Sequence, residues 1–331
     1  LRIVVMGTGP FAVPMLKALV ASSHEIVAVV TRPDHAPPGR RPPPNPIRDA
    51  ATACGLTILD PEKTSSPDFL AVLRGLEADL FVVCDYGQIL SREVLAIPHF
   101  GGINLHGSLL PRHRGAAPVQ WAMLEGDPIT GVSVIGMTAA LDAGNVITAR
   151  ETPIGQRETA PELEHRLAEI GAPAVLDAIE RLQAAVAAGH AVADVGIPQD
   201  ASKATRAPRL SKADGVIDWS QTAVRIERMR RALEPWPRAV TFFTRADGVK
   251  QRLVIADADV ALAEEFLMLE PPPAVGTVLA AEQSPDTGMI VVACGGGAAL
   301  SITHLVPEGK RQMTAGEYLR GSPLRPGALL G

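Results

Sequence analysis

A strand, a glycine turn and a helix follow one another at the start of the chain, and this order restricts the folds open to it. Arg2–Met6 is a short apolar run, Gly7-Thr-Gly-Pro-Phe-Ala12 breaks it, and Pro14–Val20 reads as a helix. That order is the opening of a Rossmann-like α/β unit, with the glycines allowing a tight turn at the helix N-terminus. Gly7-x-Gly9-x-x-Ala12 also fits a dinucleotide fingerprint. The next strand, Glu25–Val30, should then end in an acidic residue to hold a ribose. It runs instead into Thr31-Arg32-Pro33, with Asp34 only after the proline. A nicotinamide cofactor is therefore disfavoured, and the turn is left to meet a substrate or to close the backbone.

Further on, Ile47–Cys54 and Pro67–Arg74 read as helices and Asp79–Val83 as a buried strand. Tyr86-Gly-Gln-Ile-Leu90 lies beyond the carboxyl end of that strand, where ligands bind in open α/β sheets. Gly101–Leu105 is another strand and Ala116–Leu124 the helix after it. Between them runs Asn104-Leu-His-Gly-Ser-Leu-Leu-Pro-Arg-His-Arg-Gly115. Residues two apart in a strand point the same way, so Asn104 and His106 project side by side. One supplies an amide donor and the other a titratable imidazole. Such a pair can stabilise an oxyanion and handle a proton. A capping asparagine and a satisfied core histidine are the plainer alternative for Asn-x-His by itself. Gly131–Met137 and Asn145–Arg150 read as strands flanking a turn, Leu141-Asp142-Ala-Gly144, and Pro161–Ala188 as a long amphipathic helix.

A chain of 331 residues suggests two domains. Residues 1–189 form the first and 190–208, rich in Ala, Gly, Asp and Pro, a linker. From 209 to 318 come a helix, Gln221–Leu233, and several short strands divided by glycine and proline, the pattern of a small β-barrel. The strands are Ala239–Thr244, Arg252–Asp257, Gly276–Ala281, Met289–Ala293 and Ala299–Leu305. No apolar run is long enough to span a membrane. Cys54, Cys84 and Cys294 are odd in number and lack metal-ligand spacing. They fit reduced buried thiols in a cytoplasmic protein with no bound metal.

The net charge of −5 carries no global nucleic-acid signal, but residues 203–252 hold twelve Lys/Arg against five Asp/Glu. That excess fits either a solvated surface or a polyanion footprint. Residues 33–46 are proline-rich and read as a stiffened surface loop presenting Arg40 and Arg41.

Asn104-x-His106-x-Ser-Leu-Leu-Pro111, Arg114-Gly-Ala-Ala-Pro118 and Leu141-Asp142-Ala-Gly144 together resemble the folate-dependent formyltransferases. Ser211-Lys-x-x-Gly-x-Ile-Asp-Trp-Ser220 and Pro235-Trp-Pro237 resemble the C-terminal domain of the branch whose acceptor is methionyl initiator tRNA, although Glu234 and Arg238 stand where that branch usually has Asn and Gly. The resemblance implies a Rossmann-like formyltransferase domain followed by an OB-like β-barrel that binds tRNA. It implies formyl transfer from 10-formyltetrahydrofolate to the α-amine of the aminoacyl-tRNA, with Asn104, His106 and Asp142 as the catalytic set. Asn104 would donate to the oxyanion. His106 would also stabilise it and move a proton toward the folate nitrogen, and Asp142 would orient His106 and take the amine's proton. Folate contacts carry over to Gln88, Leu90 and Ser108-Leu109-Leu110-Pro111, where an apolar wall with fixed polar groups suits a flat pterin. Contacts to tRNA carry over to Arg40, Arg41, Lys203, Arg206, Arg209 and Lys212. The family's usual Gly-Arg-Gly-Lys-Lys is here Gly39-Arg40-Arg41 followed by prolines, and Asp85 stands where the family has a small residue. A purine-pathway formyltransferase and a formyltetrahydrofolate hydrolase would use the same catalytic set. A Rossmann dehydrogenase would use the Gly7 turn, and a tRNA-binding module would need only the C-terminal half.

Overall fold

Ile3, Val4, Val5 and Met6 are fully buried, and so are Leu80, Phe81 and Val82. Continuous apolar runs of this kind have no polar face to offer water, so both belong inside a sheet covered on each side. The computed structural model describes residues 1–34, 42–245, 247–261, 272–284, 288–322 and 324–331. Arg40 and Arg41 lie outside the described residues.

The chain divides into two compact units. One comprises Leu1–Ala122, Pro128–Gly155 and Glu162–Pro208, and the other Met123–Asp127, Gln156–Pro161 and Arg209–Gly331. In the first, β1 (Arg2–Gly7), β2 (Glu25–Val30), β3 (Ile58–Leu59), β4 (Leu80–Cys84) and β5 (Gly102–His106) pair in parallel. A two-residue strand, β6 (Arg114–Gly115), follows β5 in the chain. The long antiparallel hairpin β7 (Ile129–Gly136) and β8 (Val146–Pro153) completes the main sheet on the far side of β5. The order is β3-β2-β1-β4-β5-β7-β8. The doubly wound half is thus joined to an antiparallel extension, and β5 lies at the change of direction.

Helices α1 (Val13–Val20), α2 (Pro46–Ala53), α3 (Pro67–Gly75), α4 (Arg92–Leu95), α5 (Pro118–Glu125) and α6 (Ala160–Ala187) connect the strands. Proline stands at the first turn of α1, α2 and α3, where its missing N–H costs nothing. Asn45 caps α2 by accepting from Arg48 N at 3.3 Å. The stretch 190–208, read above as a linker, contains β9 (Arg206–Ala207), which pairs in parallel with β6.

In the second unit α7 (Ala223–Ala232) is followed by the strands β10 (Val240–Thr244), β11 (Lys250–Ala261), β12 (Val278–Ala281), β13 (Ile290–Cys294), β14 (Ala298–Pro307) and β15 (Met313–Thr314). They form an antiparallel sheet of order β10-β11-β14-β13-β12, with β15 beside β14. The sheet is curled. Its C-terminal residues Leu329 and Leu330 bridge to Thr277, next to β12, and to Phe243 on β10, so one segment reaches both edge strands. The last helix, α8 (Ala315–Gly321), starts with a capping box between Thr314 and Glu317. Trp219 lies in the core and its indole N–H donates to Thr241 Oγ1 at 3.0 Å.

Much of the basic excess at 203–252 is structural. Arg230 and Arg231 are buried and share Glu227 Oε1 at 3.4 and 2.7 Å. Arg225 pairs with Glu125, Arg238 with Glu234 and Arg245 with Asp247. Lys203, Arg206, Arg209 and Lys212 are exposed, and Lys203 has Asp200 at 3.6 Å.

Removing the carboxylate that serves two buried guanidiniums should be costly. Glu227→Ala should destabilise the second unit by about 3 kcal/mol, read as a shift in denaturant midpoint. A change under about 0.5 kcal/mol, the scale of an ordinary surface substitution, would contradict the structural role given to these charges.

Candidate active site

The centre is built on β5, whose pairing with β4 on one side and β7 on the other fixes Asn104 and His106. Asn104 stands opposite Val83 and Ile135, and His106 opposite Ser133. Both project from the carboxyl end of the strand, where the sheet changes from parallel to antiparallel. The Asn104 amide makes no hydrogen bond among the described residues and stays half-buried, so its donors are free for a ligand.

His106 is 5% exposed. Its Nε2 lies 2.9 Å from the carbonyl oxygen of His113. A carbonyl can only accept, so Nε2 carries the proton and, in the neutral ring, Nδ1 carries the lone pair. Nδ1 faces the Asp142 carboxylate, with Oδ2 3.9 Å away. That gap is longer than a hydrogen bond, as expected between a lone pair and a carboxylate. Burial pushes the His106 pKa below the ordinary histidine value, against an opposing upward pull from Asp142 and from the His113 carbonyl. The ring is therefore neutral at neutral pH, and an imidazolium formed there would face a carboxylate.

Asp142 sits in the loop between β7 and β8 with a left-handed backbone, φ +50°. Its Oδ2 accepts the Gly115 N–H at 2.9 Å. Gly115 itself has φ +133°, and a Cβ there would meet the Ala207 carbonyl oxygen at 2.4 Å. Only glycine fits where β6 passes β9 and still aims its N–H at the carboxylate.

The Ser108–Pro111 turn is held by a residue that sequence reading missed. Ser133 Oγ accepts from Leu110 N at 3.1 Å and donates to the Ser108 carbonyl at 2.8 Å. Its only sequence signal was its place in the strand paired with β5. Ser108 is buried and donates to the Arg112 carbonyl at 2.7 Å, while Leu109, Leu110 and Pro111 are half-buried. The other folate candidates shape their loop from inside. Gln88 Oε1 accepts from Thr64 N and Oγ1 at 3.1 and 2.9 Å, and its Nε2 donates to the Pro61 carbonyl at 3.2 Å. Leu90 is buried in the core with Tyr86, whereas Ile89 between them is 87% exposed. Gln88 and Ile89 also border a cavity of about 630 Å³ lined by Thr8, Arg32, Asn45 and Lys63, which none of Asn104, His106 and Asp142 reaches.

Asp85 now has a physical account. Its backbone is left-handed, φ +47°, and a Cβ on Gly9 would lie 1.8 Å from its Oδ2. The carboxylate occupies the space that Gly9 leaves open. It also acts on Glu164, whose pKa is raised by burial first and by Asp85 second. A negative group over the glycine turn opposes a pyrophosphate there, a second reason against the dehydrogenase reading. Of the three cysteines expected to be buried, Cys84 and Cys294 are, whereas Cys54 is exposed at the end of α2. Among the described residues no group of three or more His, Cys, Asp and Glu could hold a metal ion, and no helix is long and apolar enough to cross a membrane.

The strand-borne Asn104 and the buried His106 are thus met by Asp142 from the neighbouring hairpin. Residues 1–179 match the formyl transferase family and residues 209–323 its C-terminal domain, so the chain belongs to the formyltransferase family. Within that family it is similar along its whole length to methionyl-tRNA formyltransferases. That of Rhodopirellula baltica is 41% identical over 100% of this chain and 96% of its own. That of Xanthomonas axonopodis pv. citri is 42% identical over 96% of this chain and 97% of its own. Among solved structures, the sugar 3N-formyl transferase WlaRD shares the fold, with a TM-score of 0.60 at 14% identity over 94% of this chain and 99% of that one. HypX from Aquifex aeolicus, solved with tetrahydrofolic acid, gives a TM-score of 0.55 at 16% identity, and this chain spans 46% of it.

A neutral His106 acting as a base loses activity as pH falls through its pKa. Because that pKa is lowered, the enzyme's own step in the acid limb of kcat/KM should lie below about 6.5, beneath the separate step near about 8 from the α-amine of the free substrate. Asp142→Asn removes an upward pull, so it should move the limb to still lower pH as well as slow the reaction. A limb that moves upward in Asp142→Asn would contradict this electrostatic arrangement.

Proposed function

We propose that the chain transfers the formyl group of 10-formyltetrahydrofolate to the α-amine of methionyl initiator tRNA, the step that readies this tRNA for translation initiation. The observation that carries the chemistry is the committed Nε2 of His106, which leaves Nδ1 as the one basic atom facing Asp142. Full-length similarity to methionyl-tRNA formyltransferases supports the choice of acceptor.

The amine attacks the formyl carbon as its free base, and the carbonyl electrons move onto oxygen. The Asn104 amide, held by the pairing of β5 with its neighbours, donates to that oxyanion as a preorganised donor. The nitrogen that has attacked is positively charged and gives a proton to His106 Nδ1. The imidazolium so formed is stabilised by Asp142. His106 then delivers the proton to N10 of the folate as the N10–carbon bond breaks, releasing tetrahydrofolate and the formylated amine. With Nε2 held by His113, oxyanion donation falls to Asn104 and proton transfer to His106.

In this reading folate lies against the Tyr86–Leu90 loop and the Ser108–Pro111 turn. Gln88 and Leu90 hold the shape of the first, and Ser108, Leu109, Leu110 and Pro111 form the second. The tRNA is held by Lys203, Arg206, Arg209 and Lys212, together with Arg40 and Arg41. The curled C-terminal sheet is an OB-like barrel in the same reading, supported by the bridging of Leu329 and Leu330 to both edges. The enzyme would work in the cytoplasm, where initiator tRNA is used.

Turnover with methionyl-tRNA, a purine-pathway amine and water as competing acceptors tests the assignment. Only methionyl-tRNA should be formylated at a substantial rate, and His106→Ala should lower turnover by ~10²-fold or more. Near-normal turnover in His106→Ala would sink it. Replacing Lys203, Arg206, Arg209 and Lys212 together should weaken tRNA binding and flatten its salt dependence by roughly one unit of log–log slope per lost phosphate contact. An unchanged slope would remove these residues from the interface.

A further inference from the structure

The backbone around Asp142 is held from a distant part of the sequence. Thr138, Ala139, Ala140 and Leu141 are exposed, and Asp142 itself is in a left-handed conformation that costs a residue with a Cβ roughly 1 kcal/mol. An exposed loop with such a residue will not keep a carboxylate in place on its own. Gln199 supplies the constraint. Its Nε2 donates to the carbonyl of Asp142 at 2.9 Å and to that of Gly144 at 2.7 Å. Its Oε1 accepts from Arg114 Nε at 3.1 Å and Nη2 at 2.7 Å. Both amide protons and both oxygen lone pairs are thus used. The guanidinium fixes which end of the amide faces the loop, and a charge-assisted bond of this kind is stronger than a neutral one.

Arg114 stands between the two residues that hold the catalytic pair. His113 gives its carbonyl to His106, and Gly115 gives its N–H to the Asp142 carboxylate. The segment bearing Gln199 is itself tied to both sides. Ile197 exchanges two hydrogen bonds with Val146 at 2.9 Å each, and Asn145 Nδ2 donates to the Ala193 carbonyl at 3.2 Å. On the other side, Thr205 Oγ1 accepts His113 N at 2.8 Å, and the Thr205 carbonyl accepts Arg114 N at 2.9 Å.

We propose that Gln199 is a positioning residue of the catalytic centre: it sets the distance between Asp142 and His106 by locking the Asp142 loop to Arg114, the residue between their hydrogen-bond partners His113 and Gly115. It touches neither substrate nor the reacting atoms and acts through Asp142. The inference rests on the reading of Asp142 and His106 given above.

The test is a double-mutant cycle in the full-length chain, with kcat and both KM values measured across pH. Gln199→Glu keeps the length and the oxygen that faces Arg114 but loses both donors. It should lower kcat at least ~10-fold, a part of the ~10²-fold or more that a general base contributes, with KM for folate and tRNA within about 2-fold. In an Asp142→Asn background the same substitution should change kcat by less than about 2-fold, since residues acting as a unit are not additive. Gln199→Leu, which adds no charge, should show the same kcat loss and should move the acid limb down as in Asp142→Asn. If neither folds, Arg114→Met, which frees the amide to rotate, should show the same kcat loss and the same non-additivity. Full kcat in Gln199→Glu, an effect confined to KM, or an additive effect in the Asp142→Asn background would overturn the proposal. Normal turnover in Asp142→Asn alone would instead mean that the underlying site assignment had failed.

Discussion

The hydrogen bond from His106 Nε2 to the His113 carbonyl decides what the rest of the site can do. A buried imidazole with one nitrogen committed to a backbone acceptor has a fixed tautomer and a fixed orientation. In the proposed reaction its other nitrogen does all the proton chemistry. Burial keeps that nitrogen unprotonated at rest, and Asp142 makes its protonated form tolerable when it is needed. The balance between the two is the condition for a base that works near neutral pH.

The fold supplies this arrangement from four places in the sequence. β5 presents His106, the segment 113–115 at β6 carries His113 and Gly115, the β7–β8 hairpin carries Asp142, and the 190–208 segment ties the last two together. The left-handed Asp142 and the crowded Gly115 are both strained choices, and both lie at the carboxylate. Local strain persists where surrounding contacts over-determine it, and here those contacts lead back to one glutamine.

Much of this was legible in the sequence because it is local. Apolar runs marked β1, β2, β4 and β5, and the alternation of Asn104 with His106 put both on one face of a strand. The long helix and most strands of the second unit were also marked, although β11 reaches Ala261, well past the expected Asp257. Strand pairing was the hidden part. The two-residue strands β6 and β9 have no periodicity, and their partnership joins Arg114 to the distant Arg206. Gln199 sat in a stretch whose composition reads as a linker, and nothing local shows that its amide meets two carbonyls some fifty-five residues away. The charge count at 203–252 misled in part, since a count cannot separate Arg230 and Arg231, buried on Glu227, from Arg206 and Arg209, which face solvent.

The account stands or falls on the tautomer of one ring. Long-range nitrogen–proton correlation NMR on protein labelled at histidine would read it directly for His106 near neutral pH. The account predicts a neutral imidazole protonated at Nε2, with Nδ1 showing the shift of an unprotonated nitrogen. A ring protonated at Nδ1, or an imidazolium at that pH, would contradict it.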